Sequence, residues 1–305
     1  MSNVSPVIDE PLDVRWIRHL IHRWPLPRGR GLLLRAFGPR LRAQPFWFEA
    51  EPDVVIASDF DDYMTRWVFI HGLADVAVYR LSRRLIRPDD VVFDVGANIG
   101  LWLLGAARRL GNQGKIHAFE PVTENCVRLR ANLVRNRLVD RVVIQQCALS
   151  DHGGPLTLYQ PSYNNSGHFT LGKRPGVETG LTVEGQTLDD YVASAGIRRV
   201  DLLKSDVEGA EWFLFRGGRA LLSRDDSPVL LFEVNEDTAA SLGHTCRDVK
   251  ALLVEHGYEM FDYDGRRLAP VATDRREEPP GDLFALKPGH FRTHPWLSTL
   301  LGNGP

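Results

Sequence analysis

Cysteine is scarce: the 305-residue chain holds three, Cys126, Cys147 and Cys246, odd in number and widely spaced. They form no CxxC pair, so zinc or thiol-redox chemistry is not indicated, and a reducing, cytoplasmic compartment is expected. No stretch approaches the ~20 consecutive apolar residues that a spanning helix needs. The N-terminal MSNVSPVIDEPLDV lacks the basic start and apolar run of an export signal. Neither secretion nor membrane crossing is therefore expected. Positive charge is not in excess either: the formal net charge is -2, which argues against a globally basic nucleic-acid binder, and no nucleic-acid partner is expected. Lysine is sparse beside arginine, and no internal repeat is visible. What is present is ordinary for a globular chain, 43% hydrophobic and 25% charged residues, and bounds the answer to one large domain plus an appendage.

A nearly neutral total hides local blocks. Residues 15–42 carry eight arginines and no acid, with Trp16, Ile17, Leu20, Ile21 and Trp24 at helical spacing. Glu49 to Asp62 then brings six acids and no base. The two blocks are expected to neutralise each other within the fold or across a homodimer. Arginines with tryptophans also suit peripheral contact with an anionic membrane, although Pro25, Pro27 and Pro39 are expected to keep any helix there short.

From Pro88 onward, short β-branched runs alternate with helical stretches, the pattern of a parallel sheet covered on both faces. Strands are expected at Val91–Val95, Lys115–Phe119, Arg141–Gln146, Val200–Lys204, Pro228–Val234, Tyr258–Tyr263 and Leu283–Leu286, the last paired antiparallel beside the sixth. The fold class is α/β, a doubly wound, mostly parallel, seven-stranded sheet of Rossmann-like type with a small N-terminal appendage. Asp151 to Gly185 interrupts the pattern with alternating LTLY and HFTL runs, read as a hairpin excursion lying over the site. Residues 1–80 are expected to form the basic segment and lead-in, 81–290 the catalytic domain and 291–305 a loosely packed tail. Asp274 to Glu278 reads as a solvated loop.

The functional signal begins at Asp94-Val95-Gly96-Ala97-Asn98-Ile99-Gly100, between the first strand and the first helix. Small residues there let a ligand approach the backbone and the helix N-terminus. A dinucleotide site would place glycine where Asn98 stands, because the pyrophosphate must reach the main chain. S-adenosylmethionine has no phosphate, so a side chain is tolerable, and Asp94 is positioned to orient its amino group. Glu120 ends the second strand twenty residues after Gly100, where a carboxylate can accept both ribose hydroxyls, and Pro121 stops the strand. Ala148, near the end of the third strand, lies where an adenine would rest. Glu120 serves NAD and S-adenosylmethionine alike; its plainer reading is a charge at the N-terminus of the next helix.

At the end of the fourth strand, Lys204-Ser205-Asp206-Val207-Glu208-Gly209-Ala210-Glu211 brings carboxylates to the edge of the sheet where ligands bind. Together, DVGANIG, FEP and KSDVEGAE resemble the FkbM-type methyltransferases, over roughly residues 88–287, with an echo upstream at Arg66 to Gly72. The resemblance implies a class I methyltransferase fold, S-adenosylmethionine as cofactor and methylation of a hydroxyl on a natural product or sugar. The chain departs from the pattern at Ser205, where a branched apolar residue is expected, and at Gly281-Asp282, where asparagine often precedes the acid.

A hydroxyl is a poor nucleophile and needs a base or a metal. Asp206 is the first choice of base, Glu208 the second and His168 of the excursion the third. Their plainer readings are a helix cap, a loop-ordering carboxylate and an incidental histidine. Asp206, Glu233 and Asn235 offer oxygen ligands for Mg2+. The expected function is methylation of a small molecule, a sugar or a glycolipid. A nicotinamide-dependent oxidoreductase, which Asn98 disfavours, and a non-catalytic nucleotide-binding scaffold are the alternatives.

Overall fold

The computed structural model describes residues 6–23, 27–73, 76–160, 166–167, 169–172, 180–274 and 280–301. The chain starts with β1 (Ile8–Asp9), α1 (Leu12–Arg23) and α2 (Pro27–Arg42), followed by β2 (Phe46–Glu51) and β3 (Val54–Ala57). β1 pairs parallel with β2, and β2 antiparallel with β3. Helical periodicity in α1 turns Val14, Ile17 and Ile21 inward, leaving Trp16 exposed. Pro27 opens α2, where its missing N–H costs nothing. Pro39 does not break that helix as expected: it lies in the last turn of 16 residues, which run on to Arg42 past the lost donor. The charge blocks meet at Arg42–Asp61, 2.9 Å, whereas Arg18 and Arg40 are taken by the upstream acids Glu10 and Asp13.

Two helices lead to the main sheet. Asp62 caps α3 (Tyr63–His71), its carboxylate accepting the Thr65 N–H at 3.0 Å, and α4 (Ala77–Leu85) follows. Then β4 (Val91–Val95), α5 (Leu101–Ala107), β5 (Lys115–Phe119), α6 (Thr123–Asn136) and β6 (Val142–Gln145) form parallel crossovers. The excursion is a separate sheet: β7 (Ala148–Ser150) pairs parallel with β9 (Gly180–Thr187), which pairs antiparallel with β8 (Gly154–Tyr159).

After α7 (Leu188–Ser194), β10 (Leu202–Ser205) returns to the other side of β4. Next come α8 (Glu211–Arg216), α9 (Arg219–Leu222), β11 (Val229–Val234), α10 (Glu236–Ser241), α11 (Cys246–Glu255) and β12 (Glu259–Tyr263). β13 (Leu268–Pro270), β14 (Gly281–Leu286) and α12 (Pro288–Thr293) complete the elements. The sheet order is β13-β12-β14-β11-β10-β4-β5-β6, doubly wound and mostly parallel, with β14 antiparallel between β11 and β12. It has eight strands where seven are expected; the extra one is the three-residue edge strand β13, which the Asp264-Gly265 turn folds back onto β12. Central strands are buried on both faces. Along β10, Leu202, Leu203, Lys204 and Ser205 are all buried, and the apolar pair divides between two core clusters, one on each side of the sheet.

The sheet order reverses between β4 and β10, and this switch point opens the crevice where such folds bind ligands. The described part of the expected loose tail, up to Leu301, packs against the domain. Leu297 is buried in the core and the Arg84 guanidinium lies 4.1 Å from the Trp296 ring. Most of the charged stretch after Asp274 falls outside the described residues. No helix among the described residues is long and apolar enough to cross a membrane.

Candidate active site

The β4–α5 turn is held open by its backbone. Gly96 adopts φ 78°, and a Cβ there would stand 1.9 Å from the Asp206 carbonyl oxygen, so only glycine lets the β4 and β10 ends approach this closely. Asn98 also takes a left-handed φ, 49°, which asparagine tolerates better than most residues. Its N–H donates to Glu120 Oε2 at 2.8 Å, and its own Oδ1 accepts the Ile99 N–H at 2.5 Å. Gly100, φ 90°, starts α5; a Cβ there would meet Leu129 at 2.6 Å.

Glu120 is buried at the tip of β5. Its Oε1 accepts the Val122 N–H at 2.9 Å and the Asn125 side-chain amide at 3.3 Å, while among the described residues Oε2 accepts only the Asn98 N–H. Of about four lone-pair sites on a carboxylate, the turn therefore occupies three, leaving less than the pair of free acceptors expected for a ribose diol. Burial pushes the Glu120 carboxyl up to about 7, against the pull of these donors.

At the end of β10, Lys204 was legible only as part of its motif, yet it organises the charges. Its buried Nζ lies 3.3 Å from Asp94 Oδ1 and 3.4 Å from Asp206 Oδ2. Burial alone would lower the Lys204 ammonium, but Asp94 and Asp206 outweigh it and hold the group charged. Asp94, expected to meet an incoming amino group, thus already faces a fixed ammonium. Glu208 sits at φ 53° in the following turn, its carbonyl accepting the Thr170 hydroxyl at 3.0 Å. Glu211 accepts the Val207 N–H at 3.0 Å, and burial raises its carboxyl to about 7.

These elements enclose a cavity of about 160 Å³ whose lining includes Asp94, Gly96, Asn98, Glu120, Pro121 and Ala148. Asp206 and Glu208 line the same cavity. Gly100 stands behind it, shaping the helix start. The excursion closes one side with Ser166, Gly167, Phe169 and Leu171, and the Ser166 N–H is tied to Asp62 at 2.8 Å. His168 lies outside the described residues. Two lining residues missed by sequence reasoning, Met64 and Tyr79, come from α3 and α4; nothing in their local pattern marks them, because the contact is tertiary.

The expected magnesium ligands do not all line the cavity that holds Asp206. Glu233 and Asn235 are not part of the cavity lining; Asn235 stands at the N-cap of α10, where its backbone carbonyl, not its side chain, accepts the Thr238 hydroxyl at 3.0 Å. Burial, reinforced by the nearby carboxylates of Asp206 and Glu211, raises the Glu233 carboxyl. Among the described residues no group of three or more His, Cys, Asp or Glu is arranged to hold a metal ion.

Residues 94–260 match the methyltransferase FkbM domain. The 31-O-demethyl-FK506 methyltransferase FkbM of Streptomyces tacrolimicus is 36% identical over 204 residues, 57% of this chain and 74% of that protein. The 2-O-methyltransferase NoeI of Sinorhizobium fredii is 28% identical over 157 residues, 46% of this chain and 62% of that protein. Among solved structures, methyltransferase FkbM of Methylobacillus flagellatus aligns with a TM-score of 0.41 at 15% identity, covering 84% of this chain and 60% of that one.

Proposed function

The chain belongs to the FkbM methyltransferase family and is an S-adenosylmethionine-dependent methyltransferase; from that premise we propose that it methylates a hydroxyl oxygen of a small molecule or sugar, with Asp206 as the base. One observation carries this reading: the glycine turn, Glu120 and Asp206 converge on a single cavity at the switch point of the sheet. Two relatives whose names specify an O-methyl product support oxygen as the acceptor atom.

The cofactor supplies a methyl group on a sulfonium, already activated for displacement. The lining residues fit it: Glu120 would offer its remaining acceptor site to a ribose hydroxyl, and Ala148, Leu149 and Phe169 give an apolar wall for a base. What the protein must add is alignment and proton removal. A hydroxyl held against Asp206 loses its proton to that carboxylate as the oxygen–carbon bond forms and the carbon–sulfur bond breaks. Lys204 fixes Asp206 in place from the buried side. Positioned bases of this kind contribute roughly 10²–10⁴ in rate.

The test is calorimetric titration with S-adenosylhomocysteine and NADH, followed by transfer of a labelled methyl group to a panel of alcohols. S-adenosylhomocysteine should bind and NADH should not, and Glu120→Ala should abolish the heat. Asp206→Asn should keep cofactor binding while losing on the order of 100-fold or more in kcat. An Asp206→Asn enzyme with undiminished kcat would remove Asp206 from the role.

A further inference from the structure

A second cavity, of about 290 Å³, adjoins the first and shares Met64, Tyr79 and Leu101 with it. α3 contributes Tyr63 and Trp67, the following segment Leu73 and Val76, and β14 contributes Asp282. None of these was identified from the sequence as a ligand contact. The walls are preformed. The Tyr79 ring is faced by the Arg83 guanidinium at 5.5 Å, and the Trp67 ring packs on His71 at 5.1 Å. Arg83 is itself fixed by Glu51 at 2.7 Å and by the Trp102 carbonyl at 2.9 Å. Tyr63, 50% exposed, stands where the cavity meets solvent.

Tyr79 stands between this cavity and the reaction centre. Burial raises its hydroxyl, which feels Lys204, Asp206 and Asp282 together and stays protonated as a donor. A third cavity, lined by Asp59, Asp61, Asp62 and Glu124, instead meets the cofactor pocket at Asn125 and Ser166, on the Glu120 side. Of these two neighbouring cavities, the aromatic one adjoins the Asp206 side, through the shared Tyr79.

Granting the methyl-transfer reading above, we propose that the aromatic cavity is the acceptor subsite and that it takes an alcohol on an apolar, ring-bearing skeleton, its hydroxyl directed past Tyr79 to Asp206. Largely apolar walls with few convergent polar groups are what such a ligand needs. A pyranose would bring several hydroxyls, and each one buried without a partner costs about 1–3 kcal/mol. Among the described residues of this cavity, Asp282, the tyrosine hydroxyls and the Trp67 indole N–H are fewer polar groups than a whole sugar ring requires.

The experiment is saturation-transfer NMR on the full chain loaded with S-adenosylhomocysteine, with cyclooctanol and methyl α-glucopyranoside as probes. Cyclooctanol should show saturable transfer and the glucoside none. Trp67→Ala and the half-exposed Tyr63→Ala should each weaken cyclooctanol binding by about fivefold, the loss of one aromatic wall, with S-adenosylhomocysteine affinity unchanged. Transfer to the glucoside that Trp67→Ala weakens would overturn the proposal, as would cyclooctanol binding indifferent to both substitutions, or no binding of either probe. Failure of S-adenosylhomocysteine to bind the wild-type chain would strike the cofactor reading instead, and calorimetry detects that separately.

Discussion

Glu120 sets a pH dependence that belongs to one residue. Its carboxyl titrates near 7 because burial outweighs the three donors that hold it. Only the ionised form offers its remaining lone pair to a ribose hydroxyl, so cofactor binding and protonation compete. Affinity for S-adenosylhomocysteine should be full above about pH 8 and fall toward tenfold per unit below about pH 6. Glu120→Gln should bind weakly with a flat profile over the same range, which separates this group from Glu211, also near 7. A wild-type profile flat from pH 8 to 5.5 would place the titration elsewhere. Gly96 shows what residue-scale reading captures and misses. Sequence pattern picks out the glycine, on the argument that a ligand comes close. The closer constraint is the Asp206 carbonyl, a contact across 110 residues that no local pattern encodes.

At the scale of elements, the parallel crossovers of Val91 to Gln145 and Leu202 to Val234 were legible because strand and helix periods alternate there and turn residues punctuate them, while the excursion between them breaks the pattern. β13 was not, since Leu268-Ala269-Pro270 is too short for alternation to register and ends in a proline. The α4–α5 joint was also hidden. Arg83 leaves α4, pairs with Glu51 of β2 and donates to the Leu101 and Trp102 carbonyls of α5, while Gly105 provides room that a Cβ would fill. Both charged side chains are about nine-tenths buried, 10% and 9% exposed. Removing one partner strands the other, so Arg83→Leu should cost about 3–5 kcal/mol in urea unfolding. Glu51→Leu added to Arg83→Leu should recover part of that loss. Additive losses in the double variant would mean that the pair is not the source of the effect. Because Tyr79 rides on α4, Arg83→Leu should also weaken acceptor binding more than cofactor binding.

The whole molecule raises the question of whether the N-terminal elements are an appendage. Val14, Ile17 and Ile21 of α1, Phe46 and Phe48 of β2 and Phe69 of α3 are buried in the same cluster as Val92 of β4, Leu103 of α5 and Leu133 of α6. Side-chain amides of α6 add a polar seam: Asn136 Oδ1 accepts the Val55 N–H at 2.9 Å and Asn132 Oδ1 accepts the Ala57 N–H at 3.0 Å. Sequence composition separates this region because its charge blocks differ from the rest of the chain. Packing joins it, because its apolar residues have no other core to enter. Burying several large side chains at roughly 1.5–3 kcal/mol each exceeds the margin by which domains are usually stable. The full chain should therefore unfold in a single transition, and deletion through Arg42 should lower the Tm by well over about 5 °C, with loss of acceptor-site order before loss of the central sheet. Calorimetric scans of both forms, with circular dichroism for helix content, make the comparison. A truncated chain that keeps its Tm and its S-adenosylhomocysteine affinity would mean that α1 and α2 only cover a domain stable without them, and the arginine-rich surface would then need an explanation outside the fold.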